Sequence, residues 1–265
     1  MPTKNVHWGL SSLLFQRQKV GDPTMLMLGD SWFWYPLDNL AVELGSALRV
    51  SNHLIGVIGY NGAEASEWRD KYRKELDVAI DFYGAGLQGF FLSGGGNDLA
   101  GMRDFLRLLK DDCSSATKVD ECFRPGQPEA SLAVIDGAYR EVIAKVRARN
   151  PTVPIFVHQY DHAWPTGKGV FGPSDWLKAP MEKALVPEPL RRPLFKALIQ
   201  ALKVSQEKLA QQDQNVVVVP TAGVMPEDSK VKDQYWSNEL HPTPRGFKLL
   251  VSQAFMPQLE ARGLA

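Results

Sequence analysis

The chain has 265 residues, 44% of them hydrophobic, with 30 basic and 30 acidic side chains. That is enough for one core of ordinary density, near the upper size for a single domain. Balanced charge, with no long run of Lys or Arg, lacks the electrostatic footprint of a nucleic-acid or anionic-membrane binder, so the expected partner is a small molecule.

In chain order, the start "MPTKNVHWGLSSLLFQRQKV" has neither the apolar h-region nor the cleavage site of a secretory leader, and no later segment has the apolar length of a membrane span. The expectation is a cytoplasmic protein. The first strand is expected at 24–29, running into "GDSWFWYP", followed by a helix at 37–48. Strand 54–59, helix 65–82, strand 88–93 and helix 99–110 continue the alternation. The connection 110–129 holds the only two cysteines, Cys113 and Cys122, which are either free thiols or a local disulfide. A disulfide there would favour export without an N-terminal leader. Neither Cys has the further Cys or His neighbours that a zinc site needs.

A helix at 131–149 and a strand at 153–159 precede a second long connection, 160–192, rich in Pro and Gly and carrying Trp164, Phe171 and Trp176. Loops of this length are often functional, so it is a candidate pocket wall or lid. Helix 193–212 puts Leu194, Phe195, Leu198, Ile199, Leu202 and Leu209 on one face, with Pro193 suited to a first turn. A strand at 215–220 and a helix at 244–262 close the chain. Short apolar strands alternating with amphipathic helices make an α/β protein with a five-stranded, mainly parallel sheet. No repeat or composition break divides it, so a single domain is expected.

Ligands on such sheets bind beyond the carboxyl ends of the strands. Four of those positions carry chemistry: Gly29-Asp30-Ser31, "GYNGAEAS" from Gly59, "GGND" from Gly95, and "NELHPT" from Asn238. Together they supply the parts of a serine hydrolase. Ser31 needs a base, and His241 is the histidine at a site-facing strand-to-helix junction. An oxyanion needs preorganised donors, which the N–H groups of Gly62 and Ser31 and the amide of Asn97 can provide. His7 lies in an N-terminal segment expected to be loosely held, and His53 begins a strand at the far end. His158 and His162, nearer the site edge of the sheet, either line the pocket or, the commoner case, take hydrogen-bonded structural roles. No metal site is expected.

This order of motifs resembles the SGNH, or GDSL, hydrolase superfamily, over Gly29 to His241. The resemblance implies a flavodoxin-like three-layer α/β/α sandwich and ester hydrolysis without metal or organic cofactor. It places the nucleophile on Ser31, the oxyanion donors on Gly62 and Asn97, and the base on His241. Where the family usually has Asp three residues before the histidine, this chain has Asn238. In a well-studied triad that exchange lowers turnover by roughly 10⁴ because the wrong imidazole tautomer is favoured. Three readings follow: Asn238 accepts a hydrogen bond from the imidazole, Glu239 or a backbone carbonyl orients the base instead, or the protein binds an acylated ligand without hydrolysing it.

For the substrate, Trp32 and Trp34 beside the nucleophile and Trp164 in the long connection are candidate pocket walls. The period of a helix does not allow Trp32, Phe33, Trp34 and Tyr35 all to face one way. The functions in view are a carboxylester hydrolase of lipase, thioesterase or aryl-esterase type, a carbohydrate O-acetyl esterase, and a noncatalytic acyl- or glycan-binding protein.

Overall fold

The structure, a computed structural model, describes residues 4–36 and 38–265. The runs MLMLG, IGVIG and GFFLS carry no charge and are buried along their whole length, as inner strands covered on both faces must be. They form β2 (Met25–Gly29), β3 (Ile55–Gly59) and β4 (Gly89–Ser93), joined by β1 (Val6–Trp8), β5 (Ile155–His158) and β6 (Val216–Val219). All pairings are parallel, in the order β1-β3-β2-β4-β5-β6. The five strands beyond β1, β3-β2-β4-β5-β6, have the flavodoxin-like order, and the chain reverses direction across the sheet at β2.

The sheet therefore has six strands, one more than the sequence pattern indicates. The extra strand is the three-residue β1, too short to show a period, which pairs Val6 with Ile55 and Trp8 with Val57. His7 sits in it and is buried, so this segment is held in the sheet.

The helices are α1 (Leu10–Val20), α2 (Ser31–Trp34), α3 (Leu40–Ala47), α4 (Arg73–Tyr83), α5 (Gly101–Leu108), α6 (Gln127–Arg149), α7 (Lys178–Lys183), α8 (Glu188–Gln212), α9 (Lys232–Tyr235), α10 (Pro244–Leu250) and α11 (Met256–Glu260). Helices α1, α4, α6 and α8 lie over one face, with α1 reaching α4 through Leu10 to Glu75 and Arg17 to Phe82, and α3 and α10 pack together over the other. Asn39 caps α3 by accepting from the Val42 N–H; the expected start of this helix at Leu37 lies outside the described residues. The expected helix 65–82 is split into a 3₁₀ turn, Ala65–Arg69, and α4.

Helix α8 begins at Glu188, so Pro193 lies inside it, and Pro189 occupies the first turn. Coming just after the first turn, Pro193 forfeits one ladder bond, to the Pro189 carbonyl. The expected helix 244–262 is interrupted by a π turn at Val251–Phe255, just ahead of Pro257, whose ring and missing N–H displace an α ladder. Cys113 and Cys122 are both buried free thiols. Among the described residues no helix is long and apolar enough to cross a membrane.

Candidate active site

Strand β2 ends at Gly29, level with Gly59 of β3 and Ser93 of β4, so the three following turns emerge side by side. This close approach needs glycine: a Cβ on Gly59 would lie 1.9 Å from the Gly29 carbonyl oxygen. Asp30 caps α2 by accepting from the Trp32 N–H at 3.0 Å. Ser31, 6% exposed, is the first residue of that single helical turn. Its N–H has no hydrogen-bond partner among the described residues.

His241 arrives from the opposite end of the sequence, in the turn before α10, where Thr243 caps the helix at the Gly246 N–H. Its Nε2 lies 2.8 Å from Ser31 Oγ and its Nδ1 lies 2.9 Å from Asn238 Oδ1. The same Oδ1 accepts from the backbone N–H groups of His241 at 2.9 Å and Leu240 at 3.0 Å. Backbone N–H groups only donate, so the amide atom facing them and the imidazole is the oxygen. Asn238 Nδ2 points the other way and donates to the Tyr35 hydroxyl at 3.1 Å.

The imidazole thus meets an acceptor at Nδ1. It carries its proton there, and Nε2 is free to accept from Ser31. The amide cannot turn its NH₂ toward the ring without leaving two backbone donors unpaired, which answers the tautomer objection to Asn at this position. Asn238 is 4% exposed and His241 is 5% exposed, with Tyr35 stacked on the imidazole at 4.1 Å and 9°. Burial pushes the His241 pKa down to about 4, so the ring is unprotonated, and free to accept a proton, across the physiological range.

Glu239, the alternative orienting residue, turns away from the imidazole. Its carboxylate accepts from the N–H groups of Gly167, Leu177 and Lys178 and from the Ser174 hydroxyl.

The turns after β3 and β4 are locked to each other. Asp98, buried and lifted to about 6 by desolvation, accepts from Ala65 N at 2.8 Å and Ser66 N at 3.4 Å. Asn97 Nδ2 donates one hydrogen to the Ala63 carbonyl at 2.9 Å, which leaves the other free. Gly62 between them has φ +74°, a conformation that favours glycine, and its N–H has no partner among the described residues. Ser31, His241, Gly62 and Asn97 all line one cavity of about 320 Å³, with Tyr35, Pro36, Val170, Phe171, Trp176 and Leu240 making its walls apolar.

Of the expected pocket tryptophans, none lines this cavity. Trp32 is 3% exposed, donates from Nε1 to the Leu240 carbonyl at 3.0 Å and stacks on His158. It borders instead a hollow of about 20 Å³ that Asp30, Ser31 and Asn97 also line, room for roughly one water. Trp34 turns outward against Trp8 and Tyr60, and Trp164 lies under the Arg192 guanidinium at 3.5 Å. The aromatics against His241 are Tyr35 and Trp176, whose ring meets the imidazole edge-on at 5.5 Å. Tyr35 falls four residues after Ser31, the spacing that shares one helical face, and that was the signal available for it.

Beneath the nucleophile lies a buried polar chain. His158 Nδ1 faces the Gln159 carbonyl at 2.7 Å and must donate there, while Nε2 lies 2.6 Å from Ser93 Oγ. Ser93 also lies 2.9 Å from Asp30 Oδ1, and Tyr160 bonds Asp30 Oδ2. One Ser93 proton cannot serve both a neutral His158 and an ionised Asp30, so a further proton is taken up here as pH falls. Burial raises Asp30 to about 6 and lowers His158 to about 4, so below about pH 6 that proton goes to Asp30 first. His162 pairs with Glu227 on the surface at 2.7 Å.

Compared with known proteins, residues 18–249 match the family model described as the GDSL-like lipase/acylhydrolase family. The chain belongs to that family. It is an ester hydrolase of the GDSL type. Among solved structures it is similar to the lipase Lip_vut3 from a goat rumen metagenome, with TM-score 0.57, 14% identity, and 91% of this chain and 97% of that one covered. It is likewise similar to phospholipase A1 from Streptomyces albidoflavus NA297, with TM-score 0.55, 16% identity and coverages of 91% and 99%. A carbohydrate esterase family 3 protein from Talaromyces cellulolyticus aligns with TM-score 0.50, 16% identity and coverages of 90% and 97%. At these identities the likeness is one of fold. No curated protein matches the sequence.

Proposed function

We propose that this GDSL hydrolase cleaves carboxylic esters of apolar acyl groups through an acyl-enzyme on Ser31. The observation that carries the proposal is the unbroken chain Ser31 Oγ, His241 Nε2, His241 Nδ1, Asn238 Oδ1, with contacts of 2.8 and 2.9 Å, opening on an apolar cavity. Ser31 Oγ attacks the ester carbonyl as its proton passes to His241 Nε2. The tetrahedral oxyanion is received by the N–H groups of Ser31 and Gly62 and the free hydrogen of Asn97 Nδ2. His241 then gives its proton to the departing alkoxide, which leaves as the alcohol. Water, deprotonated by the same imidazole, attacks the acyl-enzyme and releases the acid with Ser31 restored.

Asn238 does two things in this scheme. Its Oδ1 holds the ring in the tautomer with Nδ1 protonated, and it stabilises the imidazolium by its dipole rather than by a charge. The apolar walls favour an acyl chain over a sugar in this cavity. A panel of p-nitrophenyl esters from acetate to octanoate, with acetylated sugars and acyl thioesters alongside, tests the reading. Turnover of the esters by the wild type and its loss in Ser31→Ala are expected. Equal ester turnover by Ser31→Ala, or hydrolysis of acetylated sugars alone, would overturn it.

A further inference from the structure

Glu239 sits between Asn238 and His241 and is 0% exposed, yet it contributes nothing to the imidazole. Among the described residues no cation pairs with its carboxylate; the nearby Lys178 ammonium pairs with Glu182 instead. A fully buried carboxylate is costly unless its lone pairs are filled. Here they are filled by one segment: Gly167 N at 2.7 Å, Lys178 N at 2.9 Å, Leu177 N at 3.1 Å and the Ser174 hydroxyl. The Glu239 N–H also donates to the Lys168 carbonyl at 3.0 Å.

Gly167 and Ser174 stand on the two limbs of a small hairpin, and Leu177 and Lys178 follow at the start of α7. Ser174 N bonds the Gly167 carbonyl at 2.9 Å, Gly169 N bonds the Gly172 carbonyl at 2.7 Å, and Lys168 is bridged to Pro173. Its tip is Val170-Phe171. Both residues line the cavity that Ser31 and His241 open into, and Phe171 is 99% exposed. A large apolar side chain left in solvent at a cavity mouth has unmet contact area, which an apolar substrate chain longer than the reacting carbonyl would cover. One side chain therefore fastens this wall to the three-residue stretch that carries the base.

Resting on the esterase reading above, we propose that Glu239 is the positioning residue that fastens this hairpin to the base-bearing turn. Held in this way, the Val170-Phe171 tip selects medium-chain acyl esters over acetyl esters. An acetyl group occupies only the reacting end of the cavity, whereas a longer chain reaches the tip.

The test compares kcat and KM on p-nitrophenyl acetate and octanoate for the wild type, Glu239→Gln and the double variant Val170→Ser with Phe171→Ser. A carboxamide keeps one accepting oxygen and turns an NH₂ toward two of the donors, so half of the anchorage is lost. In both variants the ratio of octanoate to acetate kcat/KM is expected to fall about tenfold, carried by KM for octanoate. The tip residues are at the surface, so the double variant keeps the test decisive even where Glu239→Gln does not fold. An unchanged ratio in the double variant overturns the proposal. So does a folded Glu239→Gln that loses both esters in equal proportion, or neither. A wild type that hydrolyses neither ester tells against the esterase reading itself, a different result from any of these.

Discussion

Replacing Asn238 by Asp puts a full charge where the structure has a carbonyl dipole. The new carboxylate would stand 2.9 Å from Nδ1 by the Asn238 Oδ1 contact, still accepting from the His241 and Leu240 N–H groups and now also from the Tyr35 hydroxyl. At an effective dielectric of about 20, an ion pair with about 4 Å between charge centres is worth about 4 kcal/mol. Part of that is spent on keeping a carboxylate out of water, so a rise of about 2 units in the imidazole pKa is the expected net effect.

The wild-type His241 is held down to about 4 by burial. A protonated imidazole cannot accept from Ser31, so wild-type kcat/KM falls as pH drops through about 4, and the acid limb of Asn238→Asp moves up to about 6. The imidazolium that forms in the transition state is stabilised by the same charge, and kcat at pH 8 is expected to rise by about one order of magnitude. Stopped-flow or plate-based hydrolysis of a p-nitrophenyl ester, with absorbance corrected for phenol ionisation, gives both quantities. A variant whose acid limb stays at about 4, or a wild type whose limb already lies at 6 to 7, would refute the reasoning.

Other outcomes follow from the same geometry. Ser31→Ala and His241→Ala should each lower ester turnover by at least about 10³, with the thermal unfolding midpoint little changed. Asn97→Ala should lower kcat by about 10² with KM nearly constant, since it removes a donor used mainly by the oxyanion. Tyr35→Phe leaves the Asn238 NH₂ without its acceptor and should cost about 1 kcal/mol of stability, read by chemical denaturation. Asp30, raised to about 6 from an ordinary 3.8, binds its proton more tightly folded than unfolded. Its contribution is therefore full below about pH 3.8 and is lost as pH rises through about 6, by up to about 3 kcal/mol. Asp30→Asn, which keeps a neutral group there, should gain stability relative to the wild type over that window; a pH-independent difference would contradict the assignment of the proton to Asp30.

Much of the site can be read from strand ends. Ser31, Gly62, Asn97 and His241 each lie just past an apolar run or just before the last helix, and a parallel sheet brings such positions to one edge. What sequence does not show is side-chain direction. The warning raised by Asn238 is real as chemistry, and only the two backbone N–H groups that claim its oxygen show why the amide faces the imidazole correctly. Glu239 is equally near the base in sequence, but its carboxylate is drawn into a segment some sixty to seventy residues earlier by contacts with no local signature. Among the aromatics after Ser31, one helical turn sends Trp32 and Phe33 into the core and Trp34 outward, and Tyr35, the residue after the turn, is the one that reaches the histidine. In the fold, the three residues of β1 are too few to show alternation, and the first-turn position that would suit Pro193 is held by Pro189.

Activation of Ser31 as a nucleophile is measured most directly by intact-mass and peptide-mass analysis after reaction with a fluorophosphonate at neutral pH. One adduct per chain is expected, located on Ser31, absent from Ser31→Ala and from His241→Ala, and slowed by an added medium-chain ester. A folded wild type that takes no label, or takes it at another residue, would contradict the account.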